Sequence, residues 1–148
     1  DISAAYLKAS NVMEGDNQEF GHRVSLSSDG RWLAVSAFKE NKRTNGVFIS
    51  PPADQPTVNQ AGAVYMFERI AGAKPWLDTW AQRAYIKSSN QPDAGDLFGA
   101  SLELSGDGKT LVVGAPYEDR AFAGFASGTE SAADEDDNLR NSGAVYLY

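Results

Sequence analysis

The sequence predicts an all-β fold of two copies of one four-stranded antiparallel unit, and three observations carry that prediction. Phe98 to Pro116 reads as a complete hairpin, with Leu102 and Leu104 alternating against Ser101, Glu103 and Ser105, and with a short apolar run from Leu111 to Val113. Between the arms, Gly106-Asp107-Gly108-Lys109 is a turn whose glycines and aspartate tolerate positive φ. The same hairpin occurs earlier as Phe20 to Phe38, displaced by 78 residues, with Ser28-Asp29-Gly30-Arg31 as its turn. No segment of any length carries the period of about 3.6 residues that marks an amphipathic helix.

Taken in order, Asp1 to Ser10 matches Trp80 to Ser89 at an offset of 79, so Ala5-Tyr6-Leu7-Lys8 and Ala84-Tyr85-Ile86-Lys87 read as one strand type used twice. Acidic loops follow, Glu14-Gly15-Asp16 and Asp93-Ala94-Gly95-Asp96, each leading into Phe-Gly and the hairpins Phe20–Ser27/Trp32–Phe38 and Phe98–Ser105/Thr110–Pro116. Two long, poorly patterned connections come next. Lys39 to Ala61 carries Pro51, Pro52 and Pro56, and Tyr117 to Ser142 carries Asp119, Glu130, Asp134, Glu135, Asp136, Asp137 and Asn138. Connections this long in a compact domain mark functional or mobile loops.

Both connections end at Gly-Ala-Val-Tyr, in Gly62–Phe67 and Gly143–Tyr148, at an offset of 81. The three extra residues fall in the long connection, where insertions cost little. Glu68 to Thr79, with Ala71-Gly72-Ala73 and Pro75-Trp76, reads as a hairpin joining Ala63–Phe67 to Trp76–Lys87. The organisation is therefore one unit over residues 1–148, with repeat one at 1–67, a connecting hairpin at 68–79 and repeat two at 80–148. Four short antiparallel strands per repeat is the pattern of a β-propeller blade.

Composition narrows the function. A net charge of −7 excludes a nucleic-acid partner bound through a basic surface. The absence of cysteine removes disulfides, thiol nucleophiles and cysteine-type zinc sites, and leaves the redox compartment open. No apolar run approaches the roughly 20 residues of a spanning helix, so no membrane insertion is expected. The chain starts at Asp1 and shows no signal peptide, consistent with a preceding segment having been removed or left out.

Phe98-Gly99, Gly114-Ala115-Pro116 and Gly143-Ala144-Val145-Tyr146 resemble FG-GAP repeats, the blade motif of integrin α-chain propellers and of many bacterial surface proteins. The likeness is closest to the bacterial form and extends over both copies. The first copy has diverged further, with Ser36-Ala37-Phe38 in place of Gly-Ala-Pro. Phe20 and Phe98 are expected to anchor sheet packing, Gly21, Gly99 and Gly114 to allow close backbone approach, and Pro116, after Ala115, to end a strand.

In the blade that the resemblance implies, the Phe-Gly strand is innermost, followed outward by the Gly-Ala-Pro strand, the Ala-Val-Tyr strand and a fourth. Phe20–Ser27, Trp32–Phe38, Ala63–Phe67 and Trp76–Lys87 then form one complete blade, whereas Phe98–Ser105, Thr110–Pro116 and Ala144–Tyr148 lack an outer strand. The segment of the right type is Ala4–Ala9, at the other end of the chain. Propellers close with about four to eight blades, so the ring is expected to be completed in a homo-oligomer by N-terminal strand exchange, Tyr6 and Leu7 against Val145 and Tyr146. The alternatives are missing blades of a longer propeller, or an N-terminal strand folded back on its own chain.

The family's calcium loop, D-x-[DN]-x-D-G-x-x-D, is replaced by Ser27-Ser28-Asp29-Gly30 and Ser105-Gly106-Asp107-Gly108, too few oxygens for the six to eight or so ligands that calcium takes. Asp29 and Asp107 read as turn formers. The metal candidates are instead Asp119, Asp134, Asp136, Asp137 and Asn138, a carboxylate-rich set suited to calcium as cofactor; the plainer reading is a solvated acidic loop. Phe122, Phe125 and Phe48 are the candidate contacts for a glycan or protein ligand, or else pin their loops to the blade.

His22 is the sole histidine, and neither a nucleophile elbow nor a phosphate loop is present. The function expected is a non-catalytic binding or adhesion module, secreted or at the cell surface, with adhesion and location implied by the resemblance alone. A structural propeller scaffold and a calcium-dependent hydrolase, the latter resting on a carboxylate pair such as Asp119 with Asp134, are the alternatives.

Overall fold

The computed structural model describes residues 5–12, 17–74, 77–90, 92–120, 124 and 140–148. Eight strands are present among them: β1 (Val24–Leu26), β2 (Trp32–Ala37), β3 (Val47–Phe48), β4 (Ala63–Ile70), β5 (Thr79–Ile86), β6 (Ser101–Leu104), β7 (Leu111–Ala115) and β8 (Ala144–Leu147). They form two antiparallel sheets, β1-β2-β4-β5-β3 and β6-β7-β8. The fold is all-β, and the two sheets are the two predicted blades.

Each hairpin closes as its sequence dictates. The Asp29 carboxylate accepts the Ser27 hydroxyl at 2.6 Å and the Arg31 N–H at 2.9 Å, and Asp107 accepts Ser105 and Lys109 at 2.6 and 3.1 Å. These bonds hold both carboxyls below the usual carboxylate range, the serine hydroxyl first. Both bonds fall on one oxygen, Oδ1, of each carboxylate, and they tie Asp29 and Asp107 into the turns.

The innermost strands are shorter than expected, because Phe20-Gly21 and Phe98-Gly99 lie in the turns that precede β1 and β6. The outer strand of the first blade begins at Thr79 rather than Trp76, and β4 runs on to Ile70, so Glu68–Ile70 and Thr79 belong to strands of the first blade. The long connection after β2 supplies a fifth strand that sequence patterning does not reveal. Val47 pairs with Ile86 and Phe48 with Tyr85, on the side of β5 away from β4.

Register decides which residues share a face. Val24, Leu26, Leu33, Val35, Tyr65 and Phe67 lie on one face of the first blade, and Ala34, Val64 and Met66 on the other. On the first face Leu33, Val35, Tyr65 and Phe67 pack with Phe20, Tyr85, Ala9 and Leu7 into one apolar cluster, while Val24 and Leu26 stay exposed. The second packs with Ile86 against Phe98, Leu104, Leu111, Val113 and Ala115 of the second blade. The blades are therefore stacked face to face over a shared core, each large buried side chain contributing about 1.5–3 kcal/mol.

Polar contacts fix the stack: the Leu104 N–H donates to Ser25 Oγ at 3.0 Å, and the Ser28 N–H to the Gly106 carbonyl at 2.8 Å. At the far side, Gly62 and Phe98 form a parallel bridge. Residues 5–9 form no strand, and β8 has no neighbour on its outer edge among the described residues.

Candidate functional site at the loop end of the blades

The two ends of the blade pair differ. One end carries the four-residue turns, whereas at the other the connection 39–61, the linker 87–98 and the segments flanking 121–139 come together. Backbone bonds tie them. Lys87 N–H donates to Gly46 O at 2.9 Å, Gly46 N–H to Ser88 O at 3.0 Å, Gly95 N–H to Asn59 O at 2.9 Å and Gly143 N–H to Glu118 O at 2.9 Å. Satisfied in this way, long loops can pack without orphaned amides.

Beneath them lies a buried polar network that occurs twice. In the first blade, the Asn11 side-chain amide donates to Glu40 Oε1 at 2.8 Å, while the Lys42 N–H and the Lys87 ammonium donate to Oε2 at 3.0 and 2.7 Å. The Tyr65 hydroxyl donates to Asn11 Oδ1. In the second blade, Asn90 donates to Glu118 Oε1 at 2.9 Å and the Tyr146 hydroxyl to Asn90 Oδ1 at 2.6 Å. Burial pushes Lys87 below the ordinary lysine range, opposed by the Glu40 charge, and burial also raises Glu118.

Glu40 and Glu118, Asn11 and Asn90, and Tyr65 and Tyr146 stand at offsets of 78, 79 and 81, the same spacings as the hairpins, amino-terminal segments and Gly-Ala-Val-Tyr strands to which they belong. Sequence reading missed the network, although the recurrence of uncommonly buried residue types at the repeat spacing was the signal that marks it.

Asp96 belongs to the same end. Its side chain is buried and accepts the Asp93 N–H at 2.8 Å, and burial, then the neighbouring carboxylates of Asp93, Glu118 and Asp119, raise its pKa to about 7. The folded chain thus holds this proton more tightly than the unfolded one, where an aspartate titrates near ~3.9. The resulting stability is fully present below about pH 4 and is lost as pH rises through about 7. Thermal unfolding should therefore show a loss on the order of 2 kcal/mol between about pH 5 and pH 8 that Asp96→Asn abolishes. An identical pH profile in the variant would refute the assignment.

Among the predicted site residues, Asp119 is half-buried and its carboxylate accepts the Asn141 N–H. Asp134, Asp136, Asp137, Asn138, Phe122 and Phe125 lie outside the described residues. Phe48 is half-buried, its ring centroid 6.3 Å from that of Tyr85. Among the described residues, no group of three or more carboxylate or imidazole side chains is arranged to hold a metal ion. Nor is any helix there long and apolar enough to cross a membrane.

The motif residues are spent on packing. Phe98 meets Tyr146 and Tyr148 edge-on at 5.3 and 6.2 Å, as Phe20 meets Tyr65 and Phe67 at 5.4 and 6.2 Å. A family model, described as FG-GAP repeat, matches residues 80–130. The chain carries an FG-GAP repeat. Its Phe-Gly, Gly-Ala-Pro and preceding Ala-Tyr-Ile-Lys elements all fall within that match; the first blade repeats the Phe-Gly turn and the hairpin after it, while residues 5–8, the counterpart of Ala84–Lys87, form no strand. No curated protein and no solved structure matches the chain. FG-GAP repeats build propeller-type binding or structural modules that are typically non-catalytic.

Proposed function

We propose that this FG-GAP chain is a non-catalytic binding or adhesion module of the integrin-like propeller type, acting outside the cell or at its surface, and that ligand is taken by the loop end. The supporting observation is the asymmetry of the blade pair: tight turns at one end, and at the other the connection 39–61, the linker 87–98 and the segments flanking 121–139, tied together by backbone hydrogen bonds. Rigid scaffolds that display long loops at one end commonly bind through them. Phe122 and Phe125 supply apolar contacts to a glycan or protein ligand. Asp119, Asp134, Asp136, Asp137 and Asn138 take calcium within the same loop. FG-GAP repeats are often extracellular, which supports the location.

Replacing residues 121–139 with a short Gly-Ser linker should leave the melting temperature nearly unchanged and remove binding to whichever members of an immobilised glycan and matrix-protein panel the parent chain retains. Retained binding would overturn the loop assignment. Millimolar calcium should raise the parent's melting temperature by a few degrees and leave Asp119→Ala unmoved; an unresponsive parent would remove calcium from the proposal. A purely structural scaffold is the second reading, favoured by the full use of the Phe-Gly residues in packing. It expects no retained ligand.

A further inference from the structure

The interface between the two blades is a template that the chain can use again. On the back of the first blade, Phe98-Gly99 of the second is seated: Gly62 bridges Phe98, and a Cβ on Gly99 would stand 3.1 Å from Ser36 Cβ and 3.4 Å from Val64 Cγ2. The repeat carries each of these acceptor positions to the second blade, as Gly143 for Gly62, Gly114 for Ser36, Ala144 for Ala63 and Val145 for Val64. There they line an open pocket of about 620 Å³.

The apolar residues of that face change burial accordingly. Val64 is 0% exposed and its counterpart Val145 is 65% exposed; Met66 is 9% exposed and Leu147 is 66%. The matching hook is also present in the chain. Phe20-Gly21 has the conformation of Phe98-Gly99, with φ of 94° at Gly21 and 92° at Gly99, and nothing lies within 4 Å of where a Gly21 Cβ would stand.

A charge pair keys the same contact. Lys87, which follows the outer strand of the first blade, is buried on Glu40 at 2.7 Å. Its counterpart Lys8 is exposed, and Glu118, the counterpart of Glu40, is buried beside Asn90, with the Arg120 charge nearby but no close ion pair among the described residues. Tyr6 is 83% exposed where its counterpart Tyr85 is 0%. Hook, amino-terminal segment and Lys8 belong to the first repeat, and pocket, the β8 edge and Glu118 to the second.

We propose that the occupant of this surface is a second copy of the chain, docked head to tail. Its Phe20-Gly21 enters the pocket formed by Gly114, Gly143, Ala144 and Val145, its Ala5–Leu7 segment pairs with the open edge of β8, and its Lys8 forms an ion pair with Glu118. The contact is heterologous, so it either closes into a ring or extends. It involves surfaces other than the loop end and stands whether or not the loops bind a ligand.

Light scattering on the size-exclusion peak tests this. The parent should run at several times the mass of one chain, and a parent that stays a single chain at all concentrations overturns the proposal. Lys8→Glu blocks the hook side, and Val145→Asp blocks the pocket side; both residues are exposed, so each variant should fold with a near-parental melting temperature and run as a single chain. Mixing the two should give a species of twice the chain mass and nothing larger, because one intact hook side meets one intact pocket side. A mixture that remains single chains, or variants that assemble like the parent, refutes the head-to-tail contact.

Discussion

Gly62→Ala should destabilise the chain by about 4 kcal/mol or more, among the largest effects of any single methyl in the molecule. A Cβ at this position would stand 2.0 Å from the Phe98 carbonyl oxygen and 2.7 Å from its nitrogen, both backbone atoms that cannot swing aside. The residue also sits at φ of 84°, where an L side chain is strained even in open space. Relief would require the second blade to lift away from the first and uncover the core around Phe98, Leu104 and Val113.

Gly143→Ala is the internal control. It has nearly the same φ, 75°, but its Cβ would meet nothing closer than the Pro116 carbonyl at 3.2 Å, so only the backbone strain of roughly 1–2 kcal/mol should appear in the single chain. Urea unfolding of both variants measures the difference. Equal losses would mean that conformational strain, and not the approach of the next blade, selects glycine here.

Lys87→Met should cost about 3–5 kcal/mol, because it leaves the Glu40 carboxylate buried without its counter-charge. Asn11 and the Lys42 N–H still donate to that carboxylate, which limits the loss but does not neutralise the charge. Adding Glu40→Gln should recover part of it, since no charge is then buried and the amide oxygen still accepts from one of the two donors, while the other is left facing the amide nitrogen. Comparing the two variants by thermal and urea unfolding separates the cost of an orphaned ion from lost packing. A double variant no more stable than the single one would show that the orphaned charge is not the source of the loss.

Much of this architecture was legible in the residues. Alternation of Leu102 and Leu104, the Asp-Gly turns and the recurrence of Gly-Ala-Val-Tyr at an offset of 81 specify hairpins and their repetition, and the three strands read for the second blade are the three found among the described residues. β3 was not legible, because two residues paired at a sheet edge carry no periodic signal; Val47 and Phe48 are ordered by Tyr85 and Ile86 nearly forty residues away. The buried network was equally hidden. Asn and Glu in loops and a Tyr in a strand show no local sign of pairing until the fold places Glu40 on Lys87 and Asn11 at once.

The sequence by itself determined the strand type, the turn chemistry and the repeat, since these depend on alternation and on φ preferences acting within a few residues. Only the tertiary structure decided which face of each blade is covered, because register between distant strands places Val64 under the second blade and leaves Val145 in solvent. It likewise decided that Glu40 is paired with Lys87 while Glu118, the same residue one repeat later, is held by Asn90 and the charge of Arg120: a buried carboxylate is satisfied by whatever the fold brings to it, and no local pattern encodes that neighbour.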